Sequence, residues 1–277
     1  LLFLMHLIDK MRPAEEGGGR VGIVLKGSPL FTGDAGSGES EIRRWILEQD
    51  LLEAIIALPN DLFFNTGIAT YIWVLSNHKS KERKNKVQLI DATRMYAKMK
   101  KSLGNKRVYI TDEQIDEITQ VYSAFEEGPT FANEFKDTSK KVTQEEEPAR
   151  VVSKIFDTKF FGYRKVTVDR PLAEGKTGKF KKGEKPYDKD LRDTENIPLT
   201  EDIDAYMKRE VLPHVPDAWV NVDVKDDKDG QPGKVGYEIN FNRYFYVYKA
   251  PRKPEVIAAE IRVMEERFVE LMKGVLV

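Results

Sequence analysis

Apolar and polar positions alternate along this chain in two rhythms, one helical and one strand-like. Leu1, Leu4, Met5, Ile8 and Met11 recur at helical spacing, which predicts a buried amphipathic opening helix. Pro13 and the glycines 17 to 19 break it. Arg20 to Lys26 (R-V-G-I-V-L-K) is a near-continuous apolar run, the pattern of a strand covered on both faces. A loop from Gly27 to Gly38 leads into a helix from about Ser40 to Gln49, with Ile42, Trp45 and Ile46 turned inward. Ser37 or Ser40 can cap that helix, and Glu39 and Glu41 complement its dipole. Leu51 to Leu58 is a second buried strand, closed by Pro59-Asn60-Asp61. A third, Ile68 to Ser76, follows too soon for a crossover helix and should run antiparallel to the second. Val87 to Asp91 is a fourth, after a basic hairpin. Strand, helix, strand and a final antiparallel strand make the carboxyl half of an open α/β sheet.

The second half of the chain is more mixed. Thr111 to Glu126 predicts a helix with Thr111 as cap and Gln114 in the capping-box position. Pro129 to Pro148 has the composition of a linker, residues 151–172 alternate as a β-hairpin does, and Glu174 to Lys189 has that of a mobile loop. Thr200 to Leu212 predicts a helix capped by Thr200, Lys225 to Gly233 a polar turn, and Tyr237 to Tyr248 a strand or extended chain. The last helix starts at Pro254 and carries Ile257, Ile261, Met264, Phe268, Leu271 and Val275 at alternating spacings of four and three. Such a heptad seam either packs on its own domain or pairs with another helix.

Charge narrows the possible partners. The 277 residues hold 45 Lys+Arg against 46 Asp+Glu, a net of −1, so attraction to a polyanion must come from local patches. One exists: residues 79–107 carry eleven Lys/Arg against two acids, either a solvated surface or a phosphate contact. Residues 112–147 carry eleven acids against three lysines. There is no cysteine, and His6, His78 and His214 stand far apart, which argues against disulfides, thiol nucleophiles and a zinc site. No run reaches the roughly 18 apolar residues of a membrane span. The chain starts without methionine, inside its first helix, and so reads as a fragment.

In an open α/β sheet, ligands bind beyond the carboxyl ends of the strands. The loop Gly27 to Gly38, including Ser28 and Phe31 just after Lys26, is rich in glycine and leads to a helix N-terminus, without a P-loop lysine. It is either an ordinary strand–helix loop or a ligand loop. The loop Asn60 to Gly67 carries adjacent Phe63 and Phe64 before Asn65. Both rings are hard to bury in so short a segment, so one either packs at the surface or stacks on a planar ligand such as a nucleobase. No nucleophile–base pair and no paired carboxylates stand out.

Two blocks then point to a family. G-G-G-R-V-G-I-V-L-K-G-S-P-L-F-T-G-D-A-G-S-G-E-S-E-I-R-R-W-I-L-E (17–48) and A-I-I-A-L-P-N-D-L-F-F-N-T-G-I-A-T-Y-I-W-V-L-S-N (54–77) resemble the modification subunit of type I restriction–modification systems. The similarity continues through V-Q-L-I-D-A (87–92), F-G-Y-R-K (161–165), D-A-W-V (217–220) and G-Y-E-I-N-F-N-R-Y-F-Y-V-Y (236–248). Such subunits are N6-adenine DNA methyltransferases that use S-adenosylmethionine. The resemblance implies the C-terminal half of a class I, Rossmann-like methyltransferase sheet over 1–107. Residues 108–277 would be a mixed helical and β-hairpin tail for subunit assembly, ending in the heptad helix. The family's glycine-rich cofactor loop and its Asn-Pro-Pro-aromatic motif are not in these residues, so the fragment alone is expected to be inactive. Lys26, Ser28, Phe31, Asn60, Phe63, Phe64 and Asn65 would then form the rim against a flipped adenine. Related subunits are expected to carry asparagine near position 26, where this chain has Lys26. Implied partners are double-stranded DNA, a specificity subunit docked on Ile257, Ile261, Met264, Phe268 and Leu271, a second modification subunit, and a restriction subunit in the nuclease form. The expected compartment is the cytoplasm. The alternative is a non-catalytic assembly and DNA-docking module.

Overall fold

All four apolar runs of the first 91 residues become strands: β1 (Arg20–Lys26), β2 (Leu52–Ala57), β3 (Thr70–Ser76) and β4 (Lys86–Asp91). The computed structural model describes residues 1–135, 150–172, 176–178, 180, 185–248 and 251–273. In it the chain divides into two units, Leu1–Phe241 and Asn242–Val277. The strands lie in the order β1–β3–β2–β4, and β7 (Ser153–Asp157) adds a fifth beside β4. β3 is antiparallel to both β1 and β2, as the short connection before it requires, and β2 is parallel to β4. Helix α2 (Gly38–Glu48) carries the chain from β1 across β3 to β2. β1, β2 and β4 therefore share one direction, and the loops that leave them gather at one end of the sheet.

The central strands are buried on both faces, with Leu52, Ile55, Trp73, Leu75, Leu89 and Ile90 fully enclosed. Ile46 and Leu47 of α2 are buried, and helix α3 (Asp112–Ala124) packs Ile118 and Val121 with Ile90, Met95, Phe131 and Val152. The capping box on α3 forms as its sequence predicts. A second sheet is built around β8 (Gly162–Asp169), with β9 (Asp193–Pro198) along one edge. The short β10 (Trp219–Val220) and β11 (Lys234–Tyr237) lie in tandem along the other.

Several expectations fail for identifiable reasons. The opening helix α1 (Leu2–Asp9) buries only Leu4, and Leu2, Phe3, Met5 and Leu7 face solvent. β1, expected to be covered on both faces, ends the sheet and alternates buried with exposed positions. A helix and a strand at a sheet margin have neighbours on one side only, which an apolar run cannot announce. Trp45 is exposed on α2, and Arg43 and Arg44 take the inward face instead. No hairpin joins β3 to β4, because β2 lies between them. A basic hairpin forms further on, from β5 (Ala97–Leu103) and β6 (Lys106–Tyr109).

Residues 151–172 yield two strands in different sheets, β7 and β8, rather than one hairpin. The 3-10 turn Thr158–Phe161 between them buries Phe161 and redirects the chain. Asp202, not Thr200, caps helix α4 (Ile203–Tyr206) by accepting the Ala205 N–H at 3.0 Å. The helix continues as a π-helical turn through Val211. The aromatic stretch after β11 bends into α5 (Phe241–Phe245) instead of remaining extended. Of the expected linker, residues 129–135 are packed: Phe131 is buried and Phe135 stacks on Tyr96 at 4.6 Å. Its remainder to residue 148, much of the 174–189 loop, and Gly274 and Val275 lie outside the described residues. In the second unit, α6 (Pro254–Lys273) is a twenty-residue helix with no buried side chain.

Candidate functional site

The end of the sheet where β2 and β4 terminate is organised by one loop and one hairpin. After Leu58 the chain turns at Asn60-Asp61, with Asp61 at a positive φ of 58°. Neighbouring side chains in such a turn diverge, so only one phenylalanine can enter the core. Phe63 packs against the cluster of Ile56, Leu58 and Met95, while Phe64 is 61% exposed. Asn60 and Asn65 are exposed on either side of the pair. The β5–β6 hairpin clasps this loop through its backbone: the Asn105 N–H donates to the Phe64 carbonyl at 3.0 Å, and the Arg107 N–H to the Asp61 carbonyl at 2.9 Å. Gly104 at the hairpin turn has φ +60°, and a Cβ there would stand 2.7 Å from the Phe64 carbonyl oxygen, so only glycine permits the approach. The Lys106 ammonium lies 5.2 Å from the Phe64 ring centroid. A groove of about 640 Å³ opens between loop and hairpin, bordered by Asn60, Asp61, Tyr96, Lys98 and Arg107.

Asp91 closes the carboxyl end of β4 and is fully engaged. Its Oδ1 accepts from the Thr93 N–H (3.1 Å) and hydroxyl (2.6 Å), and its Oδ2 pairs with Arg150 at 3.0 Å. It is a structural clamp between β4 and Arg150, three residues before β7.

The neighbouring loop, 27–38, is held from beneath by a residue that the sequence reading passed over. Arg43 is buried on α2, and its guanidinium donates to the carbonyls of Tyr237 (2.5 Å), Pro29 (3.1 Å) and Gly33 (3.4 Å). Burial pulls its pKa down, opposed by nearby Tyr163 and Glu238. Ser40 accepts the Tyr237 N–H at 3.1 Å, and the Leu30 carbonyl accepts the Ile239 N–H at 2.8 Å, so β11 and its continuation are tied to this loop. Lys26 is exposed at the end of β1, Ser28 is half-buried in a short 3-10 turn, and Phe31 is exposed. The adjacent arginines 43 and 44 within an apolar helix face were the available signal, since an inward arginine must find carbonyls or carboxylates.

The remaining sequence-derived residues lie in the second unit. Ile257, Ile261, Met264, Phe268 and Leu271 are all on α6, between 38% and 64% exposed. Among the described residues, no group of three or more His, Asp or Glu is placed to hold a metal ion, and no helix is long and apolar enough to cross a membrane.

The chain is similar to known proteins over much of its length. Residues 1–154 match the family model described as N-6 DNA Methylase. The methylase subunit of the type I restriction enzyme MjaVII of Methanocaldococcus jannaschii is 38% identical over 113 residues, 41% of this chain and 19% of that protein. The HindI methylase subunit of Haemophilus influenzae is 36% identical over 90 residues, 32% of this chain and 18% of that protein. The crystal structure of a type I restriction-modification system methyltransferase subunit from Streptococcus thermophilus is 25% identical, over 52% of this chain and 24% of that chain, with a TM-score of 0.36. The chain spans about a fifth of the length of the curated relatives it matches.

S-adenosylmethionine, which the family implies, finds no complete seat in the described residues. The α2 N-terminus is capped by Ser37 and flanked by Glu39 and Glu41, and Asp91 is consumed by Arg150 and Thr93. With the family model matching more than half of its residues, the chain belongs to the N-6 DNA methylase family, and its curated relatives are methylase subunits of type I restriction enzymes.

Proposed function

We propose that this chain supplies one half of the methyltransferase sheet and the assembly tail of a type I modification subunit, which methylates the N6 amino group of adenine in duplex DNA. The outer edge of β1, which no described strand pairs, and the apolar exposed face of α1 support a sheet that continues there. N6 lies inside the stacked duplex, so the target adenine must be turned out before it can react. The observation that carries the reading is Phe64, exposed beside its half-buried neighbour Phe63 at the carboxyl edge of the sheet. In this role Phe64 walls the extruded base, Phe63 anchors the loop from below, and Lys26, Ser28, Phe31, Asn60 and Asn65 complete the rim. S-adenosylmethionine supplies the methyl group and would be seated by residues outside those described.

Phe64→Ala in the full-length subunit, assembled into its complex, is expected to lower the adenine-methylation kcat/KM by about 5- to 150-fold, from the ~1–3 kcal/mol of a lost stack. The melting temperature should be unchanged. Phe63→Ala should instead reduce stability. Wild-type methylation by both variants would remove the wall.

The tail carries a second role. The exposed apolar seam of α6 supports docking to a specificity subunit, in a complex with a second modification subunit and, in the nuclease form, a restriction subunit. In this reading the complex acts on DNA in the cytoplasm, with residues 1–107 contributing to the catalytic domain and 108–277 to assembly.

A further inference from the structure

The basic run 79–107 is one block in the sequence and two clusters in space, because β4 lies inside it and carries its halves to opposite ends of the sheet. At the amino end of β4 the principal cations serve the fold. The Lys79 side chain is enclosed, with its ammonium 2.5 Å from Asp50 and 2.9 Å from the Lys86 carbonyl. The Arg83 guanidinium lies 4.5 Å and 4.3 Å from the rings of Tyr122 and Phe125, and 3.5 Å from Glu53. Lys81, Lys84 and Lys86 are exposed there beside Glu82, whereas the carboxyl end holds a longer basic stretch with no acid in it. From Ala92 to Tyr109 the chain holds Arg94, Lys98, Lys100, Lys101, Lys106 and Arg107, and no acid. Among the described residues, no carboxylate pairs with Lys98, Lys100, Lys101, Lys106 or Arg107. Lys98 and Lys106 instead stand over the rings of Phe135 and Phe64.

An acid-free hairpin that no described carboxylate neutralises, in a chain of net charge −1, is suited to meet a polyanion. The hairpin is also fixed in place, since its turn is clasped to the loop that presents Phe64 and the groove beside it is bordered by Lys98 and Arg107. We propose that the β5–β6 hairpin is a phosphate clamp, gripping the backbone of the DNA strand that flanks the extruded adenine. This rests on the reading of the Phe64 rim given above, and it assigns the strand's charged contacts to a separate element.

The test uses the full-length subunit in its assembled complex, binding a cognate and a non-cognate duplex over a range of salt. The logarithm of the binding constant falls against the logarithm of salt with a slope of about −0.9 per neutralised phosphate. Lys100→Gln combined with Lys101→Gln is expected to make that slope shallower by about one to two units, since two cations are removed. Both duplexes should weaken by the same factor, because phosphate contacts carry no sequence information. Lys81→Gln combined with Lys84→Gln, exposed at the opposite end of β4, should leave the slope at the wild-type value. An unchanged slope in the hairpin pair, or an equal change in the control pair, overturns the clamp. Methyl counts on adenine from the wild-type complex are taken in parallel. Failure of the enzymatic reading shows there, and failure of the clamp shows in the slope.

Discussion

Arg44 and Asp226 stand 182 residues apart in the chain and meet in its interior, with Nη1 2.9 Å from Oδ2 and both side chains almost fully enclosed. Burial disfavours the Asp226 carboxylate, but N–H donors from Val235 and Lys228 together with the Arg44 guanidinium outweigh it and hold its pKa at about 2. A carboxyl whose pKa is lower in the folded than in the unfolded chain stabilises above its unfolded value near 3.8. That contribution fades as the pH falls towards 2. Asp226→Asn should therefore cost on the order of 3 kcal/mol near neutral pH, the scale for breaking a buried pair. In urea unfolding, the gap between variant and wild type should narrow between pH 4 and about 2; a constant gap would mean that packing, not ionisation, sets the cost. The sequence signalled that Arg44 on its apolar helix face needed a partner but not which one, since Asp226 lies in a polar turn far along the chain. The split between Phe63 and Phe64 was open to view, because adjacent residues cannot both face one core.

At the scale of the element, capping chemistry decided what could be read. The Thr111 hydroxyl accepts the Gln114 N–H at 3.3 Å, and the Gln114 side chain accepts the Thr111 N–H at 3.0 Å. Gln114 further donates to the Asn133 carbonyl at 2.8 Å, joining the start of α3 to the segment that buries Phe131. Thr111→Ala should cost about 1 kcal/mol in denaturant unfolding, the usual value of an N-cap. A loss within error would mean that Gln114 and Asn133 hold the helix start alone. The same logic misplaced the cap of α4 by two residues, since Thr200 and Asp202 both suit the position and only the path of the chain from β9 selects Asp202. Strand pairing was less legible still. β7 and β8 alternate as hairpin partners would, yet the buried Phe161 turn sends them into separate sheets.

For the whole molecule, the proposed assembly role turns on the α6 seam. An aspartate on a seam that becomes buried in a complex carries a desolvation cost of several kcal/mol. Phe268→Asp is thus expected to abolish most co-purification with the specificity subunit while leaving the unfolding transition of the α/β part unchanged. Undiminished co-purification would move the docking surface elsewhere. Periodicity, caps and turn residues, each a property of a few neighbouring positions, were enough to determine the strands β1 to β4, the capped helix α3 and the helix α6. Residue patterns were also enough to point to the family. Only the tertiary structure decided that β1 is a margin strand, that the basic run divides around β4, and that Arg43 and Arg44 anchor segments from beyond residue 220. Local pattern reports whether a segment needs burial. Which segment covers it, and which charges are left for a ligand, depends on hydrogen bonds and ion pairs between residues that the sequence keeps far apart.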